Sequence, residues 1–120
     1  MRWQIDVNAG ALYAQVIRQV EHHLASGLLK PGDKLPSARD LAVQLGINPN
    51  TVIHAYNQLE IRQLSETRRG LGTFIRLDVP VAQLKEQQLA RAARQYLAEA
   101  HSLGCSREQA LAALMEIPHE

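Results

Sequence analysis

The 120-residue sequence predicts a mostly helical protein of the small α+β kind, and three stretches carry that expectation. Residues 37–63 hold two helical patterns separated by about three residues including a glycine, the spacing of a helix-turn-helix. Residues 65–77 hold two strand-like runs around a tip with two arginines and two glycines. Residues 80–116 hold two further helical patterns rich in alanine and leucine. The predicted architecture is a winged helix-turn-helix DNA-binding domain over residues 1–77, followed by a two-helix C-terminal dimerisation tail over residues 78–120, with room for an effector role.

Taken in order, residues 1–10 read as extended, with Trp3 and Ile5 alternating with polar residues before a turn-like Asn8-Ala9-Gly10. Trp3 is expected in the core or at an interface rather than in a ligand cage. A helix from Ala11 to about Ser26 follows from Tyr13, Val16, Ile17, Val20 and Leu24 at helical spacing, with Gly27 as its stop. Tyr13 suits either the core or a phosphate within reach of its hydroxyl. His22 and His23 are adjacent and point about 100° apart. They therefore lack the i, i+4 placement of a helical metal pair, and read as solvated or half-buried. Leu28 to Asp33 is a hydrophobic contact followed by a Pro-Gly turn.

Leu35-Pro36 ends an extended piece, and Ser37 sits at the N-cap position with Asp40 three residues on. Leu41, Ala42 and Leu45 recur at helical spacing before Gly46. The next helix opens with Asn48 as cap and Pro49 at its first position, where a missing N–H costs nothing, and is expected to run to Gln63. Val52, Ala55, Tyr56 and Leu59 fall on its inner side, whereas Asn50, Ile53, His54 and Asn57 fall on its outer side with Thr51 and Gln58 flanking. The first two turns of the outer side carry no formal charge, although an ordinary solvated face usually does. Amides, a hydroxyl and an imidazole suit base edges, and Ile53 suits a thymine methyl. Taken alone, the same face could simply be solvated.

The hairpin favours nucleic acid. Ser65-Glu66-Thr67 and Thr73 to Leu77 flank Arg68-Arg69-Gly70-Leu71-Gly72. A structural hairpin needs one turn glycine, and this tip has two beside adjacent arginines, which suit a narrow groove. The candidate DNA-contacting residues are Ser37, Arg39, Asn48, Asn50, Thr51, Ile53, His54, Tyr56, Asn57, Arg68, Arg69, Gly70 and Gly72. Tyr56 is the member that also falls on the inner side of its helix.

The run LPSARDLAVQLGINPNTV, followed by AYNQLE and ETRRGLGTFI, resembles the N-terminal domain of the GntR family of bacterial transcription regulators. It is most similar to the short YtrA-type branch, and the resemblance covers about Leu12 to Leu77. It implies that Arg39 contacts DNA phosphate or base, that Asn48, Asn50 and Thr51 lie in the major groove, and that Arg68, Arg69, Gly70 and Gly72 reach the minor groove. Pro49 and Ile53 stand where many other branches carry arginine, so guanine-reading contacts do not transfer and the operator sequence stays open. The resemblance also implies control of a transporter operon and, as a family-level expectation, repression. MocR-type regulators share this N-terminal domain but continue into an aminotransferase-like domain, for which the sequence offers no pyridoxal-binding lysine context.

Composition agrees. An apolar fraction of 46% suits a globular chain, and no segment approaches the roughly 18 apolar residues of a membrane span. No signal-peptide core follows Met1, and one cysteine, Cys105, precludes an internal disulfide, so a cytoplasmic location is expected. Residues 1–77 carry nine Lys/Arg against six Asp/Glu, while residues 78–120 carry four against six, so the basic excess lies with the helix-turn-helix. That excess is modest, and specific binding is expected to need two copies. No phosphate loop, catalytic triad, paired-carboxylate site or metal-spaced Cys/His cluster is evident. Asp33, Asp40 and Glu60 read as turn, cap and surface residues, and Cys105 as an inert thiol. Neither an enzyme nor a cofactor or metal site is expected.

After Asp78-Val79-Pro80 a long helix is expected to about Ser102, with Leu84, Leu89, Ala92, Ala93, Tyr96, Leu97 and Ala100 in one stripe. Gly104 closes it, and Ser106 with Gln109 forms a capping box for a last helix to about Glu116, bearing Ala110, Leu111, Leu114 and Met115. Two helices alone bury little of these stripes, so they either fold back on the winged helix or pack against a second copy. A homodimer is the favoured reading because twofold operators call for twofold proteins. Its candidate interface comprises Leu84, Leu89, Ala93, Tyr96, Leu97, Leu111, Leu114 and Met115. The expected partners are a double-stranded DNA operator and a second copy, with no membrane; a small-molecule effector between the dimer's helices, or none, both stay open. A winged helix used purely for protein interaction is the alternative, which salt-dependent duplex binding would separate.

Overall fold

The computed structural model describes residues 3–119; Met1 and Arg2, at the head of the expected extended segment, and Glu120, at the end of the tail, lie outside the described residues. From Trp3 to Ala11 the chain has no regular structure and is fastened to helix α1 (Leu12–Ser26) by two glutamines. The Gln4 N–H donates to Gln19 Oε1 at 2.7 Å. The Asp6 N–H donates to Gln15 Oε1 at 2.8 Å, while Gln15 Nε2 donates to the carbonyls of Asp6 (2.8 Å) and Gly10 (3.2 Å). Trp3 is partly buried, with its ring edge-on to His23 at a centroid distance of 5.1 Å. His22 is exposed, but His23 is buried: it shares the inner side of α1 with Val20 and Leu24, so the half-solvated expectation does not hold for it.

Helices α2 (Ala38–Leu45) and α3 (Pro49–Ile61) are capped at the positions the sequence indicates. Ser37 Oγ accepts the Asp40 N–H at 3.0 Å, and Asn48 Oδ1 accepts the Asn50 N–H at 2.8 Å, each satisfying a donor that the helix cannot pair internally. α3 stops two residues before the expected Gln63. Gln63 takes a left-handed φ of 62°, and the N–H groups of Gln63 and Leu64 return to the carbonyls of Glu60 and Leu59 at 2.9 Å each. This is a Schellman closure with glutamine where glycine is usual, a conformation that costs a side-chain-bearing residue roughly 1–2 kcal/mol.

The wing is an antiparallel pair, β1 (Ser65–Arg68) and β2 (Gly72–Ile75), with Ser65 opposite Ile75 and Arg68 opposite Gly72. Residues 33–35 flank β2 on its other edge. The Ile75 N–H donates to the Asp33 carbonyl at 2.8 Å, the Leu35 N–H donates to the Thr73 carbonyl at 2.9 Å, and Lys34 bridges Phe74. Below the wing, one core joins Val16, Val20 and Leu24 of α1, Leu41 of α2, Val52 and Leu59 of α3, and Ile75 of β2.

Two compact units are present, Met1–Lys85 and Glu86–Glu120. The first passes the expected boundary at Leu77 because Val79 and Leu84 are buried in its core, with Val81 packed against it. Leu84 corrects an expectation: it is 4% exposed within this unit and so is unavailable to a partner helix, although it lies on helix α4 (Val81–Ser102). In the second unit, α5 (Arg107–Glu116) begins with the expected capping box of Ser106 and Gln109. Tyr96 donates its hydroxyl hydrogen to the Ala110 carbonyl at 2.8 Å, and Ala100 and Ala110 are buried. Leu111, Leu114 and Met115 remain 54%, 49% and 86% exposed.

Gln15→Ala should lower stability by about 1–3 kcal/mol in a urea titration, because the Asp6 and Gly10 backbone groups lose three partly buried hydrogen bonds to its side chain. Gln19→Ala, at a more exposed bond, should cost less.

Candidate nucleic-acid interface

The caps that end α2 and open α3 fix how α3 is presented. Its inner residues Val52, Ala55 and Leu59 are fully buried, so helical geometry turns Asn50, Ile53, His54 and Asn57 outward. All four are exposed, Ile53 to 45%, while Thr51 is half-buried. Asn48 is exposed with its carbonyl oxygen committed to capping, and Ser37 likewise uses Oγ as an acceptor while keeping its hydroxyl hydrogen. Arg39 is exposed in the first turn of α2.

Tyr56 departs from the expected set. It is 8% exposed, and its hydroxyl donates to the Pro36 carbonyl at 2.7 Å. Burial pushes its ionisation far above the ordinary tyrosine value. The hydroxyl therefore ties α3 to the chain entering α2, although Tyr56 still lines the groove between α3 and the wing. His54 has a contact that periodicity did not reveal: its ring lies 4.3 Å, centroid to centroid, from that of Tyr13. Tyr13 is thus neither a core residue nor an isolated surface hydroxyl, since its ring packs against His54 of α3.

At the wing tip, the Leu71 N–H donates to the Arg68 carbonyl at 2.9 Å across Arg69-Gly70, and Gly70 has a φ of 76°, the positive value that the third residue of a type II turn needs. Arg69 is exposed. Arg68 is engaged within the wing: its guanidinium pairs with Glu66 Oε1 at 2.9 Å and lies 4.3 Å from the Phe74 ring centroid. Arg76 pairs with Asp78 at 2.9 Å, and this hydrogen bond holds the Asp78 carboxyl below the usual carboxylate range. The cations of this unit are therefore not equivalent. Among the described residues Arg39, Arg69 and Lys34 make no ion pair. A groove between α3 and the wing is lined by Lys34, Ser37, Asp40, Ile53, Asn57, Thr67 and Thr73. Lys34, Thr67 and Thr73 were not legible as site residues because the tertiary fold alone brings them beside α3; the alternation of exposed Lys34 with buried Leu35 was the available signal.

Residues 12–75 match the model of the family described as bacterial regulatory proteins, gntR family. The chain belongs to the GntR family. Its similarity to YtrA-type members extends past the winged helix. It is 38% identical over 109 residues to the HTH-type transcriptional repressor YtrA of Bacillus subtilis, covering 88% of this chain and 84% of that one. It is 39% identical over 118 residues to the HTH-type transcriptional regulator Rv1152 of Mycobacterium tuberculosis, covering 98% and 94%. Among solved structures, a GntR family transcriptional regulator from Listeria monocytogenes superposes with a TM-score of 0.80 at 28% identity, covering 95% of this chain and all of that one. This GntR chain is thus a YtrA-type DNA-binding transcription regulator rather than an enzyme. Among its described residues no helix is long and apolar enough to cross a membrane.

Tyr56→Phe should lower stability by about 0.5–1.5 kcal/mol, the net worth of one hydrogen bond, while leaving the salt dependence of DNA binding unchanged. A reduced salt slope in a binding titration would instead place the Tyr56 hydroxyl at the DNA.

Proposed function

We propose that this chain is a cytoplasmic repressor that binds a roughly palindromic operator as a homodimer. In this reading α3 enters the major groove, with Asn50, Ile53, His54 and Asn57 toward base edges and Arg39 at the backbone, while Arg69 at the tip of the wing reaches the minor groove. The observation that carries it is the outer face of α3: uncharged, exposed, and set beside a wing whose Arg69 makes no ion pair among the described residues. An uncharged hydrogen-bonding face next to an available cation separates base reading from backbone attraction, which is how sequence-specific DNA proteins divide the task. Repression is supported by the Bacillus subtilis relative YtrA, a transcriptional repressor.

The second unit supports the dimer. Leu89, Leu111, Leu114 and Met115 are exposed on a helix pair whose own contact uses Tyr96, Ala100 and Ala110. Large apolar side chains left exposed on so small a unit are candidates for an association surface, and a second copy satisfies the twofold symmetry of an operator. Ala93, also exposed, and half-buried Leu97 belong to the same proposed interface. Leu84 does not.

Selection of bound sequences from a random duplex pool tests the function. The expected motif is twofold, with half-sites about one helical turn apart; no enrichment, with only weak salt-sensitive binding, would favour a protein-interaction module. On the selected operator, Asn50→Ala should cost about 1–3 kcal/mol at particular base pairs. Arg69→Ala should weaken all duplexes and lower the salt slope. Leu111→Glu should yield monomers in sedimentation, and an unchanged dimer would place the interface elsewhere.

A further inference from the structure

The two-stranded wing is flanked along the free edge of β2 by residues 33–35, from the chain before α2, through the Lys34–Phe74 bridge. The hydrogen bonds that pin Asp33 and Leu35 to β2 force residues 33–35 to alternate between faces. Leu35 goes into the core, 1% exposed, so Lys34 goes to the opposite face. There it bridges Phe74, which stands opposite Glu66, while Gly72, two residues before Phe74 on the same face, stands opposite Arg68. This outer face therefore carries Lys34, Phe74, Glu66 and Arg68, with a bare position at Gly72.

The bare position is filled by lysine. A Cβ at residue 72 would lie 2.8 Å from Lys34 Cε and 3.5 Å from Nζ. The end of the Lys34 side chain thus rests directly on the Gly72 backbone, in the strand position where the wing begins its turn. Arg68, on the same face, has its charge offset by Glu66 at 2.9 Å and its plane over Phe74. Lys34 makes no ion pair among the described residues, and its ammonium is 6.0 Å from the Phe74 ring centroid. Of the two cations on this face, Lys34 is the one left uncompensated, and it also lines the groove between α3 and the wing.

We infer that Lys34 is a DNA-backbone contact of this protein, delivered to a phosphate between the recognition helix and the wing by the side-chain-free surface of Gly72. An ammonium is a compact, strongly hydrated point charge, suited to a phosphate oxygen and poorly suited to the planar two-point recognition of a base. Gly72 then has a role other than letting DNA approach the wing. It keeps open the path along which Lys34 reaches its phosphate, in a backbone conformation (φ 120°) that favours glycine. The inference rests on the DNA-binding reading above and adds to it a residue outside the helix-turn-helix and the wing hairpin.

The test is a salt titration of the full chain against the selected operator and an unrelated duplex, between about 50 and 200 mM. Lys34→Met, which keeps the alkyl chain over Gly72, and Lys34→Gln should both weaken the two duplexes to a similar degree and lower the salt slope by about one per bound protomer. Lys34→Arg should retain the wild-type slope, and thermal melts should show all three variants folded. Unchanged affinity and slope in Lys34→Met and Lys34→Gln, with a lowered slope in Arg69→Ala, would overturn the role of Lys34 while leaving the DNA-binding reading intact. A loss confined to the operator, with an unchanged slope, would also overturn it by pointing to a base contact. Wild-type protein without salt-dependent duplex binding would overturn both readings.

Discussion

Burial of the inner face of α3 against α1 and α2 is the constraint on which the rest of the winged helix depends. Val52, Ala55 and Leu59 are fully enclosed, and a helix rotated about its axis would exchange them for amides that have no partner in an apolar core. The Tyr56 hydroxyl on the Pro36 carbonyl adds a directional bond to that nondirectional burial, tying α3 to the chain entering α2. Tyr13 supports His54 from the first turn of α1. What faces outward is therefore set by what faces inward, and the outward face inherits its rigidity from the core.

The electrostatics of the surface follow a similar economy of partners. Formal charge counts would credit Arg68, Arg76 and Arg69 alike. Yet Arg68 is held by Glu66 and Phe74, and Arg76 by Asp78. Exposed pairs of this kind contribute little to stability, but they lower the charge available to a polyanion. The modest basic excess of the first 77 residues is thereby reduced, and of the cations that make no ion pair among the described residues Lys34 is the one that lines the groove beside α3.

The second unit solves a different problem. Its two helices meet through alanines and a tyrosine hydroxyl, a contact too small to enclose their leucines. A 35-residue unit has little interior to offer, so apolar side chains that cannot be buried within it stay at its surface. The exposed leucines are thus a consequence of the unit's small size.

By itself the sequence determined the local elements. Helix caps at Ser37, Asn48 and Ser106, the 3.6-residue spacing of the apolar positions and the glycine-marked wing tip are short-range features, and short-range sterics and hydrogen bonding suffice to produce them. It also determined the outward face of α3 and the family, through motifs that are contiguous in the chain. The end of α3 at Ile61 was not legible, because Gln63 adopts the left-handed closure usually signalled by glycine. Tertiary structure alone decided the fate of side chains whose partners are distant in sequence. It placed Leu84 in the core, set the Tyr56 hydroxyl on Pro36, paired Tyr13 with His54, and laid Lys34 across Gly72. In each case periodicity gives the direction in which a side chain leaves its own element, whereas what it meets there depends on another segment 20 or more residues away, brought near only when the apolar faces close on one another.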